Sequence, residues 1–258
     1  MKIAVAGATG RLGRPVVEVL TERGHQVVAM SRATGVDIIT GSGLEAALDG
    51  AEVIVDAATG PSPDGQTATE FFVTAARNLQ QAGVRAGVQR AVVVSIINID
   101  TFTGGYGAAK IAHEDAWRSG PIPVWIVRAA QFHEFVAQLL DWGTRGDVAT
   151  VPEMRTQIVA ARTVAEVIAD VVDSGAELAG AELAGAGPAG LVEVAGPREE
   201  NLVALARMLA ERRGTPVTVR EFRDPADADA ELQANGGLLP GPGARLAGPT
   251  FAEWLDQK

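Results

Sequence analysis

Lys2-Ile3-Ala4-Val5-Ala6-Gly7-Ala8-Thr9-Gly10-Arg11-Leu12-Gly13 runs from an apolar strand through three glycines into a helical stretch at residues 12–23. A strand that turns on glycines into a helix presents bare backbone N–H groups, and the positive end of the helix, to a phosphate. Gly10 is read as leaving room for close approach of a pyrophosphate, and Gly13 as letting the helix pack closely on the strand. The spacing is three and three where the dinucleotide fingerprint has two and three, so the glycines alone carry little. Their context carries more, since they follow a first strand and open the first helix of an alternating series. Gly7, Thr9, Gly10, Arg11, Leu12 and Gly13 are therefore the expected cofactor loop.

Outward from this loop, nearly continuous runs rich in Val and Ile at 2–6, 26–30, 36–40, 53–57, 91–96 and 124–129 read as strands buried on both faces of a parallel sheet. Helices are expected between them at 12–23, 44–48, 67–81 and 106–118, and Gly24 fits a helix-ending glycine. The alternation predicts an α/β fold, a doubly wound parallel sheet. The expected division is a dinucleotide-binding domain over 1–130 and a smaller substrate lobe over 131–258, interleaved with the end of the sheet. Within the lobe, helices are expected at 163–173 and 199–212 and strands at 157–160, 191–194 and 216–220. Residues 175–184 read GAELA twice, and two copies cannot build a repeat fold, so they are taken as a lengthened surface segment. Residues 236–249, crowded with glycine and proline, are expected to form an irregular tail pinned by Phe251, Trp254 and Leu255.

The end of the second strand chooses between the nicotinamide cofactors. An NAD site usually offers a carboxylate there, but Val27-Val28-Ala29-Met30-Ser31-Arg32 has none, and the next acid is Asp37. Ser31 and Arg32, with Arg11 near, suit a 2′-phosphate, which favours NADP(H).

Composition narrows the partners. The chain carries 32 acids against 22 bases and no cysteine, which excludes disulfides, thiolate nucleophiles and cysteine-ligated metals. The excess of acid lies beyond residue 130 and repels nucleic-acid phosphates and anionic membranes. No run approaches a membrane span, and the apolar stretch 3–6 is too short for a signal-peptide core, so a cytoplasmic location is expected, with a small-molecule substrate and a monomer or homodimer. The three histidines lack ligand spacing, and no metal site is expected; His25 and His113 are read as structural.

There is one tyrosine, Tyr106, and only three lysines, Lys2, Lys110 and Lys258. Tyr106 and Lys110 stand four apart at the start of an expected helix and so share a face. An ammonium beside a phenol lowers the phenol's pKa and makes it a usable proton donor nearer neutral pH, which is what carbonyl reduction needs. Lys110 is also expected at the nicotinamide ribose, and Ser95, ending the preceding strand, as a third hydrogen bond to the substrate oxygen. The sixth expected strand leads into Gln131, Phe132 and His133, where parallel sheets place their ligand crevice, so these three are the expected substrate contacts.

With these residues in view, the chain resembles the short-chain dehydrogenase/reductase superfamily, specifically its atypical, NmrA-like NAD(P)-binding branch. The resemblance rests on GATGRLG at 7–13, AARNLQQAGVRAGVQRAVVVSIINID at 75–100, YGAAK at 106–110, VRAAQFHEF at 127–135 and LLPGPGARLAGPTFAEWL at 238–255. It implies a Rossmann-type sheet with a small C-terminal substrate-binding lobe. It further implies Gly7, Gly10 and Gly13 at the pyrophosphate, Arg32 at the adenosine 2′-phosphate, and Tyr106 with Lys110 at the nicotinamide. Ser95 precedes Tyr106 by 11 residues, closer than in the standard enzymes of that superfamily, and residues 96–100 are the alternative for that wall of the pocket. The branch includes NADPH-dependent quinone and carbonyl reductases, biosynthetic tailoring enzymes and catalytically silent redox sensors. An NADPH-dependent reductase of a small apolar carbonyl, quinone or enone is the leading expectation. A non-catalytic NADP(H) sensor and a non-redox epimerase, dehydratase or cyclase are the alternatives.

Overall fold

A computed structural model describes residues 1–174 and 190–257. In chain order its first half contains β1 (Lys2–Ala6), α1 (Gly13–Glu22), β2 (Gln26–Met30), α2 (Leu44–Leu48), β3 (Val53–Asp56), α3 (Gly65–Ala86), β4 (Arg90–Ile96), α4 (Gly105–Arg118) and β5 (Val124–Ala129). Then follow α5 (His133–Gly143), β6 (Thr144–Arg145), β7 (Val148–Pro152), β8 (Arg155–Thr156), α6 (Ala161–Ser174), β9 (Leu191–Ala195), β10 (Glu200–Asn201), α7 (Leu202–Arg213), β11 (Thr218–Phe222), α8 (Ala230–Ala234), β12 (Arg245–Leu246) and α9 (Phe251–Asp256).

The unbroken apolar composition of β1 suits a strand covered on both sides, and it lies inside a parallel sheet of seven strands among the described residues, ordered β12-β9-β5-β4-β3-β1-β2. Val16, Val19 and Leu20 of α1 and Val164, Val167, Ile168 and Val171 of α6 cover one face, against Ile3, Val5, Val53, Val55, Val92 and Val127. The other face, carrying Ala4, Ala6, Ile54, Ala91 and Val93, meets Leu44 and Leu48 of α2, Ala76 and Leu79 of α3, and Trp117 of α4. The strand order turns back at β1, flanked by β2 and β3. In a doubly wound sheet such a switch point opens a crevice beyond the carboxyl ends of the strands.

A second core joins α5, α7 and α9 to β7 and β11 through Val136, Leu140, Val151, Leu202, Leu205, Val219, Phe251 and Leu255. Its strands form small sheets, β11-β7-β6 and β10-β8. No cut at one chain position separates the two cores, because α6, β9 and β12 pack on or within the main sheet although they follow β8.

Strands β1, β2 and β5 have the bounds read from the sequence, and helix α4 differs by one residue. Residues 36–40 are not the expected strand. Asp37 folds them into a turn, its carboxylate accepting the Ile39 and Thr40 amides at 2.8 and 3.4 Å and its carbonyl the Gly41 amide at 2.9 Å. Residues 157–160 form no strand either; Val159 alone bridges to Phe132. The strand expected in the lobe at 191–194 is β9, and it pairs with β5 in the main sheet. Helix α5 was not expected, nor was α9, where Thr250 and Glu253 cap each other at the start of a short helix and Phe251 and Leu255 turn inward. The doubled GAELA segment lies outside the described residues. Among the described residues no helix is long and apolar enough to cross a membrane.

Two loop glycines are imposed by packing. Gly7 sits at φ +74°, where a Cβ would lie 2.7 Å from the Ala57 carbonyl oxygen, and a Cβ on Gly13 would lie 2.1 Å from the Gly7 carbonyl oxygen. Gly13→Ala is therefore expected to destabilise by about 1–3 kcal/mol through overpacking, despite alanine's better helix propensity. Urea unfolding reads this directly, with Gly243→Ala, whose Cβ meets nothing within 4 Å, as the control.

Candidate functional site

Helices α1, α3 and α4 begin at the carboxyl end of the sheet, and their positive poles are treated differently. At α3, Asp64 accepts the Thr67 amide at 3.0 Å. At α4, Asp229 reaches in from the C-terminal part of the chain and accepts the Thr103 and Gly104 amides at 3.2 and 3.3 Å. The two poles are close neighbours, since a Cβ on Gly65 would lie 3.0 Å from the Gly105 backbone. At α1 no side chain caps Leu12. The glycine loop before it is drawn tight by a 2.8 Å bond from the Gly10 amide to the Gly7 carbonyl, and the Thr9 carbonyl accepts from Arg14 at 3.0 Å. Of these three poles, that of α1 has no carboxylate against the amides at its start, and the glycine loop before it leaves room for an anionic pyrophosphate.

Arg11 and Arg32 flank this loop and are exposed. Eleven of the nineteen arginines form ion pairs among the described residues, and Arg11 and Arg32 are not among them. Arg32 opens a single 3-10 turn whose N-cap is Ser31, bonded reciprocally to Thr34. The cradle, the uncapped pole and the unpaired cations suit an anionic dinucleotide.

Residues 57–59 connect Gly7 to Tyr106. Gly7 packs on the backbone of Ala57 and Ala58, the Ala58 amide is held by Asp56 at 3.1 Å, and the next residue, Thr59, has its hydroxyl 3.1 Å from the Tyr106 hydroxyl. The ring of Tyr106 rests edge-on against Phe72, with centroids 5.8 Å apart. Burial pushes the phenol's pKa up, and the bond from Thr59 offsets only part of this.

This corrects the expectation that Lys110 lowers it. The Lys110 ammonium is buried, lies 4.4 Å from the Phe72 ring centroid, and bonds the Val94 carbonyl at 2.7 Å and His113 Nδ1 at 3.0 Å. His113 Nε2 lies 3.0 Å from Asp56 Oδ2, which also accepts from the Trp117 indole at 3.0 Å. An ammonium can only donate and a carboxylate can only accept, so the ring between them is neutral, with Nδ1 accepting and Nε2–H donating. Burial lowers the pKa of His113, and the Lys110 charge adds to this. Burial alone would raise that of Asp56, but His113, the Ala58 amide and Lys110 hold it low. Burial pushes Lys110 down to about 8 against the pull of Asp56 and Glu114.

One helical turn beyond Lys110, Glu114 is equally buried and takes the Arg128 guanidinium as a two-pronged pair at 2.9 and 2.8 Å. Arg128 also pairs with Asp100, and Glu114 with Arg118 at 2.9 Å. Asp56, Ser95 and Arg128, at the ends of three adjacent strands, thus face a helix surface made of Lys110, His113, Glu114 and Trp117.

Ser95 belongs to this seam. It is buried beside the Glu114 carboxylate, not held out toward Tyr106 as expected. His133 does not reach the crevice either. It is fully buried, its Nε2 3.3 Å from the Ile158 carbonyl and its ring edge-on to Phe251 and Trp254, and burial pushes its pKa down to about 4. Gln131 and Phe132 are half-buried, with the Gln131 side chain taking the Thr156 hydroxyl. Thr59, Asp56, Asp229 and Glu114 went unread. Only the spacing Lys110, Glu114, Trp117, which aligns charged residues with an aromatic on one helical face, signalled the seam.

Residues 7–175 match a protein family described as NAD(P)H-binding. Over 111 residues the chain is 30% identical to the photosystem II assembly factor Ycf39 of Synechocystis sp., a match spanning 38% of this chain and 34% of that protein. The fold is similar to that of the Bordetella bronchiseptica enzyme WbmH in complex with NAD+, with TM-score 0.73 and 17% identity over 98% of this chain and 95% of that one. It is also similar to dTDP-4-dehydrorhamnose reductase of Bacillus anthracis in complex with NADP, with TM-score 0.70 and 16% identity over 99% and 97%.

The folded protein releases the Lys110 proton near pH 8, whereas an unfolded chain holds it to about 10.5. Between those values the unfolded state binds more protons, so this group raises stability as pH climbs through the window. Urea-unfolding midpoints followed from pH 8 to 10 should rise more in the wild type than in Lys110→Met.

Proposed function

The chain belongs to the NAD(P)H-binding family, and on that premise we propose that it is an NADPH-dependent reductase of the short-chain dehydrogenase type, acting on a small apolar carbonyl, quinone or enone. The observation that carries the reading is the continuity of one segment, residues 57–59, which packs on the glycine loop at one end and meets the hydroxyl of the only tyrosine at the other. The glycine loop and the α1 pole would hold the pyrophosphate, and Ser31, Arg32 and Arg11 a 2′-phosphate. When bound, the nicotinamide supplies hydride, two electrons and one hydrogen nucleus, to the substrate carbon. Tyr106 supplies the accompanying proton to oxygen. Its raised pKa keeps the phenol protonated at neutral pH, as a donor requires. Gln131 and Phe132 are assigned to the substrate side.

A second reading, an NADP(H) sensor without turnover, draws on the Lys110 ammonium bonding Val94 and His113 in place of the phenol.

Arg32→Ala should weaken NADPH binding by about ten- to a hundredfold and leave NADH nearly unchanged, as calorimetry or fluorescence titration would read. Equal losses for both nucleotides would remove the case for phosphate recognition. With 9,10-phenanthrenequinone as probe and NADPH oxidation followed by absorbance, Tyr106→Phe should lose at least about a hundredfold in kcat while NADPH affinity is retained. A wild type that binds NADPH tightly and oxidises none across a panel of quinones and carbonyls would favour the sensor.

A further inference from the structure

A phenol with a raised pKa is a reluctant donor, because the anion it leaves must be stabilised and then reprotonated. The seam around Lys110 does not meet this need directly, since its ammonium bonds Val94 and His113, and Ser95 is buried against Glu114. The polar group at the phenol oxygen is the Thr59 hydroxyl, 3.1 Å away. Thr59 is exposed, so its oxygen faces Tyr106 on one side and water on the other. Its backbone is fixed from below, where Ala57 and Ala58 pack on Gly7 and the Asp56 carboxylate holds the Ala58 amide. Around the ring, α3 contributes Phe72 and neighbouring Phe71, and α4 contributes Lys110, which also touches Phe72; no ion pair reaches the phenol among the described residues.

We propose that Thr59 is the positioning residue of Tyr106: it orients the phenol and returns a proton to it from solvent. This rests on the reading of Tyr106 as proton donor. When the substrate oxygen takes the phenolic proton, the Tyr106 O–H bond breaks. Thr59 then gives its hydroxyl hydrogen to the phenolate oxygen while its own oxygen accepts a hydrogen from water. One solvent proton is consumed, Thr59 ends unchanged, and no charge rests on its oxygen.

The single tyrosine makes the test clean. Uniform incorporation of 3-fluorotyrosine gives one fluorine resonance, and the electron-withdrawing fluorine brings phenol ionisation to a pH at which the fold is intact. Thr59→Val should raise the ionisation midpoint by about one unit and Thr59→Ser should restore it. A midpoint unmoved by Thr59→Val would overturn the proposal without touching the reading of Tyr106. With the phenanthrenequinone probe, Thr59→Val should lower kcat about tenfold at unchanged KM for NADPH, with rescue by Thr59→Ser. Full activity in Thr59→Val beside an inactive Tyr106→Phe would sink the relay alone. Full activity in Tyr106→Phe would sink the donor role and the relay with it.

Discussion

The fit of α4 against the sheet rests on a polar seam. A helix normally buries an apolar stripe, but this one turns Lys110, His113 and Glu114 inward with Trp117, against Asp56, Ser95 and Arg128. Each charge is costly to take out of water and tolerable only beside its partner, so removing one member strands another. A purely apolar contact would allow the helix to slide or rotate at modest cost. Here one step of rotation would unpair several groups at once. The seam therefore fixes the register of α4, and with it the place of Tyr106, which starts the same helix one turn earlier.

The fold was largely legible because it follows from periodicity. Val- and Ile-rich runs buried on both faces read as parallel strands, and β1, β2 and β5 lie where such runs predict. The miss at residues 36–40 has a local cause, because a short apolar run cannot reveal that Asp37 satisfies the backbone on its own. The site was legible only in part. Glycine spacing shows where a backbone must come close, and the scarcity of tyrosine and lysine singles out two residues. Sequence distance does not say which way a buried side chain turns. Tyr106 and Lys110 share a face at four-residue spacing, yet Phe72 meets both and the ammonium turns inward. Ser95 was judged by its distance along the chain, but strand pleat decides its side, and that side belongs to Glu114. Thr59 carries no motif, and its importance comes from a loop that only the folded chain brings to the phenol.

The cofactor end is organised by which helix poles are already neutralised. Two of the three carry aspartates, and the third is left to the glycine loop and to unpaired arginines. The same economy explains why so arginine-rich a chain still has specific basic residues: most of its guanidinium groups are engaged with acids or carbonyls elsewhere, and those at the loop are not.

Asp229 neutralises the α4 pole from 125 positions away along the chain, and α6, β9 and β12 complete the main sheet from the same distant part of the sequence. The helix that carries Tyr106 is thus completed by residues that emerge from the ribosome long after the nucleotide loop. During synthesis the glycine loop emerges well before Asp229, on which the start of the Tyr106 helix depends.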